Sequence, residues 1–246
     1  MKTMRRGIVL GIVLALSVGT SAVLAQETTT DTTVAPAEER PWPIEELKAR
    51  AQQLINWQVA VINRLQASVE NSRFITEGHA GRLQGDLAGT EATLEHISAQ
   101  VEDAITLDGV WALIREVHGL HVGNVLAPKT RQVIASDSLV AIGGKLDRFA
   151  KRLGEWLTRA EENGYDVAEG WALLETMEAN IASGVDLADP VAESVIGLDG
   201  SDWPDPAEGL LAAGRRDLHA AGIDLREAYA AGHEIVRFLR SLIAAA

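Results

Sequence analysis

Residues Pro206 to Leu242 read PAEGLLAAGRRDLHAAGIDLREAYAAGHEIVRFLRSL, and the apolar and small members of this stretch fall on one line. Leu211, Gly214, Leu218, Ala221, Leu225, Ala228, Gly232, Ile235, Leu239 and Leu242 alternate steps of three and four residues, the spacing that keeps side chains on one face of an α-helix. The Ala and Gly on that line allow a neighbouring backbone to approach closely.

The same seam recurs upstream in Leu83, Leu87, Thr90, Leu94, Ile97 and Val101, where the one polar member, Thr90, is expected to hydrogen-bond its own helix. Thr76 is the N-cap of that helix. An earlier helix is expected from Pro43 or Ile44 to about Arg73, with Leu47, Ala51, Leu54, Val61 and Leu65 on one face and Glu45 and Glu46 in its first turn. No run of alternating β-branched residues occurs, and aromatics are only 4% of the chain. These patterns predict an all-α fold, an elongated antiparallel and coiled-coil-like bundle.

Thr106 caps a third helix. Its stripe, clearest at Ala135, Leu139, Ile142, Leu146, Phe149, Leu153, Trp156 and Ala160, extends backwards through Gln132, Pro128, Val125, His121, His118, Ile114 and Trp111 to Leu107. Unbroken to Glu162, such a helix would measure about 84 Å. Asn163-Gly164 stops it, and Asp166-Val167-Ala168-Glu169 reads as a capping box for a fourth helix with Trp171, Leu174, Ile181, Val185, Ala188, Ala192 and Val195 on its seam, possible interruption falling at Asp189-Pro190. Gly197 to Pro204 is a loop before the last helix. Two architectures fit: two three-helix units sharing the long central helix, or one bundle in which the chain folds back at Pro128. A joint is expected within residues 118–132, where Gly123, Asn124 and Pro128 oppose regular helix and the stripe turns polar.

Ahead of the bundle, residues 1–25 read as a secretory signal: a basic start ending in Arg5-Arg6, an apolar run from Gly7 to Val18, and a small-residue cleavage site at Val23-Leu24-Ala25. The apolar run is shorter than the roughly 20 residues a bilayer requires. The general secretory route fits better than the twin-arginine route, and the mature chain is expected to begin at Gln26, extracellular and without a stable membrane anchor. Residues 26–43 are a Thr-rich linker expected to be disordered, or alternatively a glycosylated stalk, and residues 44–246 form the bundle.

Composition excludes several chemistries. The chain of 246 residues has no cysteine, so neither a disulfide framework nor a thiol nucleophile or thiolate metal site is available. Its formal charge is −13, to which Lys2, Arg5 and Arg6 of the signal contribute positively. A chain this acidic repels phosphate backbones, and no nucleic-acid partner is expected. There is no Gly-x-Ser-x-Gly, His-Glu-x-x-His or Ser-x-x-Lys, and no enzymatic activity is expected. Gly143-Gly144-Lys145 resembles the end of a phosphate loop but lacks the preceding glycine, the following Ser or Thr and a strand.

His118 and His121 are spaced to share a helix face, but two ligands do not make a metal site, and His79, His96, His219 and His233 are scattered singly. Asp199-Gly200-Ser201-Asp202 with Asp205 lacks the ligand pattern of a calcium loop and reads as a turn. No catalytic, cofactor-binding or metal residue is therefore assigned. Trp57, Trp111, Trp156 and Trp171, all within helices, are expected in the core.

Short stretches carry a resemblance: Thr76-Glu77-Gly78-His79 with Leu83 and Leu87, Pro128-Lys129 with Ile134-Ala135-Ser136-Asp137, Asp202-Trp203, and Ala213 to Ala228. In these the chain resembles a group of secreted, Ala-rich helical proteins of actinobacteria. The resemblance implies export and a helical fold, and transfers no functional residue. Together these readings lead to a secreted non-enzymatic helical protein that engages an extracellular macromolecule or acts as a spacer, the alternative being a binder of a small ligand or metal near the polar middle of the long helix. A lipid carrier is disfavoured by the narrow Ala-rich seams and the acidic charge.

Overall fold

The computed structural model describes residues 43–245, so the signal at 1–25 and all of the linker but Pro43 lie outside the described residues. Six α-helices follow: α1 Ile44–Glu70, α2 Glu77–Asp103, α3 Leu107–Gly119, α4 Ala127–Glu162, α5 Ala168–Ile196 and α6 Ala207–Ala245. No strand occurs among the described residues, and the helices pack on one another as an all-α bundle.

The helix starts follow local chemistry. Thr76 Oγ1 accepts from the His79 amide at 3.3 Å, and Thr106 Oγ1 from the Gly109 amide at 3.1 Å. Each satisfies one of the amides a helix start leaves unpaired. The expected capping box before α5 is not formed: Val167 is the N-cap, and Asp166 accepts only from the Ala168 amide. α4 ends at Glu162, and Gly164 turns the chain with a φ of +86°, a conformation that side chains disfavour.

The seams of α2 and α6 lie where the spacing puts them. Leu83, Leu87, Leu94, Ile97 and Val101 are fully buried, and Thr90 donates to Asp86 O at 2.8 Å. In α1 the line is rotated slightly from expectation: Ile55, Gln58, Ile62 and Val69 join Leu47, Ala51 and Leu65 inside, while Leu54 and Val61 flank them. Pro190 does not interrupt α5, which runs on to Ile196.

The segment from Leu107 to Glu162, which the sequence leaves as either one long helix or a chain folding back at Pro128, is two helices. α3 stops at Gly119, His121 takes a left-handed conformation at φ 46° and ψ 37°, and Val122–Leu126 form a π-helical turn before α4. The break is thus at Leu120-His121, and Pro128 stands in the first turn of α4, where its missing N–H costs nothing. The interruption resets the helical phase. In α3 the buried residues are Val110 and Val117, whereas Trp111 and His118 of the extrapolated stripe are exposed.

Two apolar cores result. The first gathers α1, α2 and α3 with Val122, Val125 and Val133, the last turns of α5 at Ala192, Val195 and Ile196, and the start of α6 at Leu211. The second lies between the remaining lengths of α4, α5 and α6, around Leu146, Leu153, Leu157, Met177 and Ile235. α4, α5 and α6 therefore contribute to both. Each fully buried Leu or Ile is worth about 1.5–3 kcal/mol relative to leaving it in water.

The tryptophans are a correction. Trp57, Trp111, Trp156 and Trp171 are 53%, 43%, 46% and 36% exposed. Close helix packing leaves no room for an indole: a methyl on Gly184 of α5 would lie 2.8 Å from Leu225 Cγ and 3.1 Å from Ala221 O of α6. Aliphatic side chains fill such an interior, and the indoles ride at its edges.

Candidate functional site

The first three turns of α4 hold Lys129, Thr130, Gln132, Ser136 and Asp137, all buried. Burying a polar group costs free energy unless it is hydrogen-bonded, so the partners decide what these residues do.

Lys129 is 2% exposed, and its ammonium donates to Asp86 Oδ2 of α2 at 2.6 Å and to Leu198 O beyond α5 at 2.7 Å. Thr130 donates to Leu126 O in the π-turn. Gln132 Nε2 donates to Leu211 O of α6 at 2.8 Å, and Ser136 Oγ to Ala188 O of α5 at 2.7 Å. Gln58 of α1 likewise donates to Val117 O, one of the last carbonyls of α3.

Asp137 anchors the most elaborate contact. Its carboxylate accepts from the Thr76 amide at 2.7 Å and lies 2.9 Å from His79 Nδ1, while His79 Nε2 lies 3.1 Å from Glu193 Oε1 of α5. The imidazole is thus held between two carboxylates from two other helices. Burial of the ring opposes its charge, but the hydrogen bonds to Asp137 and Glu193, reinforced by their charges, outweigh it and raise the His79 pKa above the ordinary 6.5. A charged imidazolium here satisfies both nitrogens as donors.

Beside this cluster, Asp199 accepts from the Ser201 amide and hydroxyl, and Asp202 accepts from the Asp199 amide, closing a capping box on a 3-10 turn. Those bonds to Ser201, with a smaller contribution from Lys129, lower the Asp199 pKa below 3.8. The Asp199–Asp202 carboxylates are engaged in turn-making, and Asp205 belongs to the turn that follows.

Chemically, the arrangement is a clasp. Both nitrogens of His79 face carboxylates, and Lys129 is committed to Asp86 and a carbonyl, so these groups serve cohesion between α2, α4 and α5. The two histidines spaced for a common face do not share a site: His118 is exposed near the end of α3, and His121 packs its ring 5.9 Å from that of Trp203. Among the described residues, no three His, Asp or Glu side chains converge as a metal site.

In the sequence His79 stands alone, without a second ligand or base at helical spacing. What could have pointed to it is that Lys129 and Asp137 flank a line of α4 that also carries Gln132, where apolar residues were due. The stretches Thr76–His79, Pro128-Lys129 and Ser136-Asp137 meet in this clasp. Comparison with family models, with curated proteins and with solved structures gives no match to this chain.

Proposed function

We propose that this is an exported, non-enzymatic helical protein whose aromatic helix faces engage another macromolecule outside the cell. The observation that carries the reading is the exposure of Trp57 and Trp111, 53% and 43%, on two helices that pack against each other. Indoles left half in water lose part of the burial energy available to them, and tryptophan is enriched among residues that dominate protein interfaces. The buried hydrogen bond from Gln58 of α1 to Val117 O of α3 supports the same reading, since it holds the two helices that carry these indoles in fixed relation.

Export rests on the basic, apolar and small-residue order of residues 1–25. The test uses the mature chain from Gln26, immobilised and exposed to medium from the producing culture, beside a Trp57→Ser, Trp111→Ser variant. A macromolecule retained by the parent and lost by the variant is expected. Equal retention by both proteins overturns the reading.

A further inference from the structure

At the end of the second core, away from the clasp, the last turns of α4 and α6 with Tyr165 frame a groove of about 460 Å³, within the size range of ligand-binding clefts. Its floor is apolar, formed by Val236, Leu239 and Ile243 on α6 with Trp156 on α4, and Ile243 is 74% exposed. Arg159, Arg240 and Asn163 supply the charged and polar part of the lining.

Neither arginine side chain has an ion-pair or hydrogen-bond partner among the described residues. Arg240 has no acidic residue three or four positions away in either direction. In a chain of net charge −13, two unpaired cations beside one apolar groove are a local reversal of sign. Along α4, Lys145, Arg148, Lys151, Arg152 and Arg159 outnumber Asp147 and Glu155 before Glu161 and Glu162 close the helix, whereas α5 has no Lys or Arg.

An apolar floor with two free guanidiniums is complementary to a ligand that is apolar along its length and anionic at its end. We infer that the groove binds a single-chain amphiphilic carboxylate, its hydrocarbon chain against Trp156, Val236, Leu239 and Ile243 and its carboxylate on Arg159 and Arg240. Guanidinium matches carboxylate geometry and is weakly hydrated, so this pairing costs less desolvation than an ammonium would. The inference is independent of the macromolecular role proposed above.

The experiment titrates the mature chain with dodecanoate below its micelle concentration, using calorimetry, and with dodecanol as the uncharged control. One dodecanoate per chain is expected, bound more tightly than dodecanol. Arg159→Gln with Arg240→Gln should weaken dodecanoate by about tenfold or more and leave dodecanol unchanged. Both arginines are exposed, and circular dichroism should show the fold intact. Dodecanoate brominated at its chain end should quench tryptophan fluorescence in the parent and not in Trp156→Phe. Quenching that persists in Trp156→Phe, equal affinity for dodecanol, or binding only to anionic vesicles overturns the proposal. So does a groove occupied by a second copy, seen as a dimer that Ile243→Ser disperses and dodecanoate does not.

Discussion

The imidazole of His79, in the first turn of α2, lies 2.9 Å from the carboxylate of Asp137, in the third turn of α4. Residues 58 positions apart are thereby joined, and Glu193 of α5 closes the far side of the ring. Together with Lys129 and Asp86 this pair ties α2 to the three-helix unit of α4, α5 and α6. Apolar packing alone would allow such helices to slide; directional bonds to fixed partners set their register.

The clasp gives stability a pH dependence. Because the folded His79 pKa is raised above 6.5, the contribution of its charge is fully present below 6.5 and is lost as pH rises through the folded value. Asp137 and Glu193 are the carboxylates facing the ring. The urea midpoint of the parent should fall as pH climbs from the mid-sixes, and His79→Gln should lose that component of the slope. An unchanged slope in His79→Gln would refute the assignment.

Lys129 and Asp86 should respond unequally to substitution. The Lys129 side chain is 3% exposed and that of Asp86 is 43%, so water can take over one partner and not the other. Asp86→Ala leaves a buried ammonium with a single carbonyl and should cost about 2–4 kcal/mol. Lys129→Met leaves a half-solvated carboxylate and should cost about 1–2 kcal/mol. Urea unfolding of the two variants checks the order, and equal losses would show that Lys129 is solvated.

Close packing in the second core makes Gly184 intolerant of a side chain. The nearest obstacles to a methyl there include the backbone oxygen of Ala221, which cannot rotate aside. Gly184→Ala should therefore destabilise by about 1–3 kcal/mol, although alanine is the better helix former. A variant more stable than the parent in thermal unfolding would mean that α5 and α6 are free to separate.

The surface tryptophans invert the usual cost of such changes. Trp57→Ser should cost about 1 kcal/mol or less, against about 3–5 kcal/mol for a buried tryptophan truncated to alanine. Urea unfolding measures the difference, and a loss in the upper range would return Trp57 to the core.

How much could be seen in the sequence follows from how local each determinant is. The seams of α2 and α6, the Thr76 and Thr106 caps and the Gly164 stop rest on residues within a few positions of each other, and periodicity or capping chemistry reveals them. The phase of α3 could not be extrapolated from α4, because one left-handed residue and a π-turn stand between. Trp156 matched the apolar period yet sits at the edge, since periodicity gives direction and not the room between helices. His79, Asp137 and Glu193 share no period at all. Only tertiary packing unites them, and the visible trace was a cluster of polar residues on a helix face that should have been apolar.

His121 provides the sharpest test of the break between α3 and α4. Its φ of 46° and ψ of 37° lie in the left-handed region, which costs a residue with a side chain roughly 1–2 kcal/mol and a β-branched one more. Glycine has no such cost in the folded state but gains freedom in the unfolded chain, and it loses the contact with Trp203. These effects oppose one another, so His121→Gly should stay within about 1 kcal/mol of the parent. His121→Val keeps a side chain but cannot enter this conformation easily, and should fall about 1–2 kcal/mol below His121→Gly in urea unfolding. If a continuous helix ran through this position the ranking would reverse, because valine is the better helix former of the two. The order of the two midpoints therefore distinguishes a turn at His121 from an unbroken central helix.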